Sequence, residues 1–384
     1  MATIATVILV LGFILTPLHA QTPPPNNVPI SWVQNATSKG AVCLDGTPSA
    51  YYFQQGQGKG ANKWLIFLQG GGWCVNQTDC LSRATYGGSS GSTKNLRQSM
   101  EFGDFLSNNS TYNPDFYNWN RIYVPYCDGS SFTGDVEAPD NLTNVTYRGA
   151  RIFKATMDDL LSRGMNFAQN ALLTGSSAGG LATMIHCDRF RELLPLFARV
   201  KCLPFAAYFV HEKNLPGSRY FELAFDGLIN LHGSAGMLPP LCTSIMSKPS
   251  LCLFPQYLLQ YVTTPVFIAM SSFDQIQIKW NLFREDEVCL VGQNCTNDQK
   301  EAIQELRYDL LDALPKALPS LRGIWIMSCI AHEFPYHSTL KVIGEKTFAD
   351  IFSDWYFDYT YLQIIDANTD PRICSTYGII PKKL

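Results

Sequence analysis

Charged residues are scarce in this sequence of 384 residues. Asp, Glu, Lys and Arg together make up 16% of the chain, and the formal net charge is -3. The basic residues form no run or stripe, whereas nucleic-acid-binding domains usually carry a clustered excess of Lys and Arg. We therefore expect no nucleic-acid partner, and net charge gives no indication of substrate steering.

Long apolar runs are missing beyond the first residues. The run over residues 3–15 is too short to span a bilayer comfortably, and Leu18-His19-Ala20 resembles a signal-peptide cleavage site. We predict a secretory signal peptide over residues 1–20. A membrane anchor is the alternative, because the usual positive charge before the apolar run is absent. No second membrane span or lipidation signal occurs, so we expect no stable membrane insertion.

The cysteines lack the paired C-x-x-C spacing of a zinc site, although there are 12 of them. Several instead lie close together in pairs, namely Cys74 with Cys80, Cys242 with Cys252, and Cys289 with Cys295. Asn-x-Ser/Thr sequons occur at Asn35, Asn76, Asn108, Asn109, Asn141, Asn144 and Asn294. Both features are typical of a secreted, glycosylated protein that is stabilised by disulfides.

Short apolar segments alternate with amphipathic ones along most of the chain. Residues 21–40 are expected to form an N-terminal arm, without regular structure over 21–28, and residues 41–384 a single catalytic domain. The predicted strands cover residues 64–68, 122–124, 171–174, 205–210, 266–270 and 324–327. The predicted helices cover residues 149–164, 178–194, 300–314 and 341–352. This alternation predicts an α/β fold, with a mostly parallel sheet covered by helices on both faces.

The peptide Gly175-Ser176-Ser177-Ala178-Gly179 stands between a predicted strand and a predicted helix. In that context, a G-x-S-x-G pattern predicts a nucleophile elbow, a sharp turn that exposes the central serine. Ser177 is therefore the candidate nucleophile of a serine esterase.

A serine nucleophile needs a histidine to accept its proton and an acid to orient that histidine. The expected chain order is Ser, Asp/Glu, His, with each residue after a later strand. Asp274 and His332 meet both conditions. His337 is the alternative base and Asp226 the alternative acid. His186, His211 and His232 precede Asp274 in the chain, which is the wrong order for the base.

The peptide Gln69-Gly70-Gly71-Gly72-Trp73 follows the first predicted strand, where an oxyanion loop is expected. Backbone N–H groups at glycines can approach a developing negative charge closely. We predict that Gly71, Gly72 and Ala178 form the oxyanion hole. A metal site at Cys329, His332 and His337 is rejected, because no second cluster completes it.

From about Cys43 to Cys374, the chain resembles the pectin acetylesterase family, whose animal relatives include the carboxylesterase Notum. The segments that carry the resemblance are CLDGTPSAYYF, GGGWC with TDCLSR, PYCDGSSF, GSSAGGLA with HCDRFRELLP, LHGSAG, CTSIMSKPSLCLFPQY, DQIQIK, SCIAH and DWYFDYTYLQIID. The catalytic serine, aspartate and histidine of the family fall on Ser177, Asp274 and His332. Ser176 and Glu333 depart from the plant pattern, which often has cysteine at both positions.

The resemblance implies an α/β-hydrolase fold, secretion to the extracellular space or cell wall, no cofactor, and removal of acetyl groups from pectin. Two alternatives remain at this stage: a Notum-like deacylase of a lipidated protein, and a non-catalytic extracellular carbohydrate-binding protein. Asp128 and Trp73 are candidates for contact with the polysaccharide, or for structural roles.

Overall fold

The computed structural model of the protein describes residues 26–212, 219–283, 289, 295–336, 346–375 and 378–379. The predicted signal peptide over residues 1–20, the sequon at Asn294 and the alternative base His337 lie outside the described residues. None of the helices in these ranges is long and apolar enough to cross a membrane.

Within the described residues, ten strands form one sheet, in the spatial order β10-β9-β8-β7-β6-β3-β5-β2-β1-β4. In chain order the strands are β1 (Asn27–Trp32), β2 (Ala50–Gln54), β3 (Lys63–Leu68), β4 (Ser99–Glu101), β5 (Asn120–Val124), β6 (Asn170–Ser176), β7 (Arg199–Phe205), β8 (Val266–Phe273), β9 (Arg322–Ile330) and β10 (Gln363–Ile365). A separate antiparallel pair joins β11 (Cys374–Ser375) and β12 (Gly378–Ile379).

The strands from β10 to β5 pair in parallel, whereas β2, β1 and β4 continue the sheet in antiparallel pairs. The parallel strands are buried apolar runs, as their cover on both faces requires. The mostly parallel sheet predicted from the sequence is therefore confirmed. The N-terminal arm differs from the expectation, because Asn27 and Val28 already belong to β1, which pairs with β2 and β4.

The strand predicted over residues 205–210 lies earlier in the chain. β7 ends at Phe205 and begins six residues earlier, at Arg199. Lys201 and Pro204 obscured it, because a charge and a proline are rare in a central strand. The charge of the Lys201 ammonium group is compensated by residues 355–358, since it donates to the Trp355 carbonyl at 2.6 Å and to Asp358 at 2.5 Å.

The helices are α1 (Gln77–Tyr86), α2 (Gly149–Ser162), α3 (Ala178–Glu192), α4 (Tyr220–His232), α5 (Pro240–Ile245), α6 (Pro255–Leu258), α7 (Gln275–Ile278), α8 (Asn297–Ala313) and α9 (Phe348–Tyr356). Short 3-10 turns cover Gly58–Gly60, Gly88–Ser90, Asp104–Leu106, Met165–Phe167, Ser234–Met237 and Pro249–Leu253, and a π-helical turn covers Lys279–Phe283.

Helices cover the sheet on both faces. Trp64 and Ile66 of β3 belong to the same apolar core as residues of α2, α3 and α8, whereas the intervening Leu65 packs into the core that contains α9. Because side chains alternate along a strand, these two cores lie on opposite faces of the sheet. The helix predicted over residues 341–352 corresponds to α9, although residues 341–345 lie outside the described ranges.

All 12 cysteines are paired in six disulfides. The pairs are Cys43–Cys127, Cys74–Cys80, Cys187–Cys202, Cys242–Cys252, Cys289–Cys295 and Cys329–Cys374. The three close pairs noted in the sequence are among them.

Candidate active site

Ser177 lies in the sharp turn between β6 and α3. Its backbone has φ 53° and ψ -123°, a conformation that is costly for a residue with a Cβ atom. The surrounding hydrogen bonds hold it there, since the Ser177 N–H donates to the Phe205 carbonyl at 2.9 Å and the Ser177 carbonyl accepts from Leu181 N at 3.0 Å. The turn therefore has the strained geometry expected of a nucleophile elbow.

Asp274 and His332 meet at the ends of two neighbouring parallel strands. Asp274 directly follows β8, and His332 comes two residues after β9. His332 Nδ1 and Asp274 Oδ2 are 2.7 Å apart. The other carboxylate oxygen of Asp274 accepts from Gln277 N at 2.9 Å and caps α7. The buried carboxylate is thus oriented by a hydrogen bond that does not involve the imidazole.

The second ring nitrogen of His332, Nε2, is buried. Nε2 makes no hydrogen bond with any residue in the described ranges, and the ring lines the same cavity as Ser177. Burial alone would lower the pKa of His332, but the charge and hydrogen bond of Asp274, together with the charge of Glu333, outweigh it and raise the pKa above 6.5. The imidazole is therefore a base whose proton affinity is enhanced by its neighbours.

The glycine loop, residues 69–73, follows β3 and lies against the elbow. A Cβ atom on Gly70 would come 2.3 Å from the Ser176 carbonyl oxygen and 2.9 Å from Ser177 Cβ, so only glycine allows this approach. Gly72 has φ 64°, which a side chain would also disfavour. Gly71 and Gly72 line the cavity, and Ala178 is the first residue of α3.

Side chains hold three consecutive carbonyl groups of the glycine loop. Arg83 donates to the Gly71 oxygen at 2.9 Å and to the Trp73 oxygen at 3.3 Å. Tyr126 donates its hydroxyl to the Gly72 oxygen at 2.8 Å. Neither Arg83 nor Tyr126 was a candidate from the sequence, because a contact with backbone carbonyls has no motif.

Asp128 is fully buried and does not reach the surface, which excludes contact with a polysaccharide. Its Oδ2 accepts from the N–H groups of Ser130 and Phe132, both at 3.0 Å, and from the Ser130 hydroxyl. Burial raises the pKa of Asp128 to about 6, despite these donors. Asp128 therefore has a structural role, the second of the two roles expected for it, and stabilises the turn behind the glycine loop.

A cavity of about 600 Å³ opens over these groups. Its walls are mainly aromatic and include Trp73, Phe209, Tyr220, Phe221 and Trp280. The Trp73 ring packs edge-on against Phe209 and Phe221, with centroid distances of 5.0 and 6.0 Å. Ser176 and Glu333, the two departures from the plant pattern, line the same cavity.

The competing histidines have other partners. His186 contacts the Phe132 carbonyl and His232 the Cys74 carbonyl, each through Nε2 at 2.8 Å. Burial lowers the pKa of His186 to about 3 and that of His232 to about 4, so both are neutral. Asp226, the alternative acid, binds Lys248 and Ser250.

Metal binding has little support from the described side chains. Cys74, Cys80 and His232 come close enough together to hold an ion, but the two sulfur atoms form a disulfide with each other. Cys329 is likewise bonded to Cys374. These sulfurs are therefore not thiolate ligands.

Comparison with known proteins identifies relatives over most of the chain. A family model described as Pectinacetylesterase matches residues 21–375. Pectin acetylesterase 11 of Arabidopsis thaliana is 41% identical over 359 residues, which cover 89% of this chain and 90% of the relative. Pectin acetylesterase 7 of the same plant is 44% identical over 314 residues, or 79% of this chain and 80% of the relative.

More distant similarity extends to animal proteins. The palmitoleoyl-protein carboxylesterase notum1a of Danio rerio is 30% identical over 303 residues, covering 76% of this chain and 58% of the relative. A solved structure of the Wnt deacylase Notum from Drosophila superposes with a TM-score of 0.77 at 23% identity, covering 90% of this chain and 97% of that one. The fold described above is thus shared with the Notum structure.

Proposed function

The chain belongs to the pectinacetylesterase family, and we propose that it is a secreted serine esterase that removes O-acetyl groups from pectin and releases acetate. One observation carries the proposal: the Asp274–His332 hydrogen bond of 2.7 Å lies beside a cavity that both His332 and Ser177 line. No cofactor takes part in the proposed reaction.

The proposed reaction begins with attack of the Ser177 hydroxyl on the acetyl carbonyl. His332 accepts the hydroxyl proton at Nε2, because Asp274 holds Nδ1 as the protonated nitrogen. The carboxylate also stabilises the imidazolium that forms, consistent with the raised pKa of His332. Ser177, Asp274 and His332 act together as the catalytic triad.

The N–H groups of Gly71, Gly72 and Ala178 stabilise the oxyanion of the tetrahedral intermediate. His332 then returns its proton to the departing sugar hydroxyl, which leaves an acetyl group on Ser177. Water, activated by His332, attacks this acyl-enzyme, and acetate leaves with regeneration of the serine.

The localisation and domain assignments are part of the same proposal. Residues 1–20 act as a secretory signal, and residues 41–384 form one catalytic domain. The six disulfides and the cluster of sequons support an oxidising, extracellular or cell-wall environment.

The size of the cavity favours a second candidate, a Notum-like deacylase of a lipidated protein. An aromatic cavity of about 600 Å³ exceeds the needs of an acetyl group, although a sugar ring can also pack on aromatic walls. Rates on acetyl and octanoyl esters separate the two candidates, since a pocket shaped for acetyl rejects the longer chain.

The test of the proposed function is acetate release from acetylated pectin, compared with acetylated xylan and with a lipidated peptide. We expect pectin to be the best substrate of the wild-type protein and Ser177→Ala to release no acetate. Faster deacylation of the peptide would favour the second candidate. Inertness towards all three substrates and a fluorophosphonate probe would instead favour the third candidate, a non-catalytic carbohydrate-binding protein.

A further inference from the structure

We propose that Arg83 and Tyr126 are positioning residues for ester hydrolysis, because they hold the glycine loop in the conformation that aims its N–H groups at the oxyanion. The inference rests on the proposed function and adds two residues to it. Neither side chain lines the cavity, so both act through the backbone of the loop.

The need for such residues follows from the composition of the loop. Three consecutive glycines can adopt many backbone conformations, and fixing them costs more conformational entropy than fixing other residues. An oxyanion hole, in contrast, must be organised before the charge develops, since reorganisation during the reaction would lower its contribution. Contacts from outside the loop therefore have to select one conformation.

The geometry provides these contacts on both sides of Gly72. The Gly71 carbonyl and the Gly72 N–H belong to one planar trans peptide, in which they point in opposite directions. Arg83 binds that carbonyl at 2.9 Å and so fixes the direction of the Gly72 N–H. Tyr126 binds the carbonyl of the next peptide at 2.8 Å. With both peptide planes held, Gly72 keeps its positive φ.

A second layer of hydrogen bonds orients Tyr126 and joins the loop to the elbow. The Ser131 N–H donates to the Tyr126 oxygen at 2.9 Å, which leaves the phenol proton for Gly72. The Trp73 indole donates to the Ser131 hydroxyl, and this hydroxyl donates to the Ala178 carbonyl, both at 2.7 Å. Ser131 thus connects the two parts of the proposed oxyanion hole.

The test compares Tyr126→Phe and Arg83→Met with matched controls remote from the cavity. Tyr51 is an equally buried tyrosine whose hydroxyl donates to Asp159 at 2.7 Å. Arg191, at the far end of α3, donates to the carbonyls of Leu194, Pro195 and Leu196. Tyr51→Phe and Arg191→Met therefore remove comparable hydrogen bonds elsewhere in the protein.

With a small chromogenic acetate, we expect kcat to fall about 10- to 100-fold in Tyr126→Phe and Arg83→Met, with KM within about 3-fold of wild type. The affinity for a trifluoromethyl ketone, which forms an oxyanion on the serine, should weaken in parallel. Arg83→Lys should restore part of kcat, because it returns one charged donor. The controls should shift the melting temperature to a similar extent and keep kcat within about 2-fold.

These measurements distinguish a failure of the positioning role from a failure of the proposed esterase function. Unchanged kcat in both positioning variants, with an active wild type and an inactive Ser177→Ala, overturns the role of Arg83 and Tyr126 alone. Activity retained in Ser177→Ala overturns the proposed function and this inference together. A loss of kcat in the controls equal to that in the variants also contradicts the inference. If Tyr126→Phe does not fold, the kcat of Arg83→Met tests the inference, because Arg83 is only half-buried.

Discussion

The Asp274 carboxylate accepts a hydrogen bond from His332 Nδ1 at 2.7 Å across a separation of 58 residues. The contact exists because β8 and β9 are neighbouring parallel strands, so the residues that follow them meet at one edge of the sheet. It favours the tautomer of His332 that is protonated at Nδ1, and Nε2 makes no hydrogen bond with any described residue.

Replacing Asp274 with asparagine should nearly abolish turnover while the fold is kept. The amide can donate to Nδ1 and so favour the tautomer in which Nε2 carries the proton and cannot accept one from Ser177. We expect kcat on a small acetate to fall by about 10³- to 10⁴-fold. The control is Asp158→Asn, which removes only a surface ion pair with Lys154. A loss below about 10-fold would argue against the assigned role of Asp274.

Hydrolysis should decline as the pH falls through the pKa of His332, because only the neutral imidazole accepts a proton. That pKa is raised above 6.5 by Asp274 and Glu333, against the opposing effect of burial. Glu333→Gln removes one negative charge near the ring, so the acid limb of the kcat/KM profile should move to lower pH. Glu192→Gln, at the far end of α3, should leave the profile in place. Superimposable profiles for Glu333→Gln and wild type would contradict the electrostatic account.

Asp128 should make stability depend on pH in a predictable direction. Burial raises its pKa from 3.8 to about 6, so the folded protein binds the proton more tightly than the unfolded chain. The corresponding stabilisation is complete below 3.8 and is lost as the pH rises through 6; it amounts to about 3 kcal/mol.

Asp128→Asn removes this titration and keeps one acceptor oxygen for the turn. The free energies of unfolding of the variant and the wild type are measured with urea. The value for the variant minus that for the wild type should increase as the pH rises from about 4 to about 7. A constant difference between the two proteins across that range would show that Asp128 does not titrate as described.

The disulfide Cys329–Cys374 should matter for both stability and activity. It closes a loop of 45 residues and lies three residues before His332. The loop entropy lost from the unfolded chain predicts a cost of about 4 kcal/mol on its removal, compared with about 3 kcal/mol for Cys242–Cys252, whose separation is 10.

The double Cys→Ser variant of each pair tests this ranking by denaturant unfolding. Of these two pairs, only Cys329–Cys374 should also lower kcat, because the backbone of the nearby Arg372 binds the end of β9: its carbonyl accepts from Ile330 N at 2.8 Å and its N–H donates to the Ser328 carbonyl at 2.9 Å. An equal loss of activity from the Cys242–Cys252 pair would contradict this explanation.

The central strands could be predicted from the sequence because burial on both faces makes them continuous apolar runs. β3, β6, β8 and β9 all follow this rule. β7 was not predicted at its actual position, because the charge of Lys201 is compensated by residues more than 150 positions away in the chain. The antiparallel strands β1, β2 and β4 were missed. β1 and β4 are short and mostly exposed or half-buried, and β2 has only five residues, so none carries a clear pattern.

The site was predictable to the extent that chain order and strand ends determine it. Asp274 and His332 followed from their places after two strands. Arg83 and Tyr126 did not, because their partners are backbone carbonyls, which any sequence supplies. Asp128 was ambiguous, and only its burial separates a structural role from contact with substrate.

Labelling by a fluorophosphonate, followed by mass spectrometry of the digested protein, tests the central claim most directly. The account predicts one adduct, on Ser177, with labelling greatly slowed in His332→Ala and absent in Ser177→Ala. An adduct on another residue, or an active wild-type protein that acquires none, would contradict it.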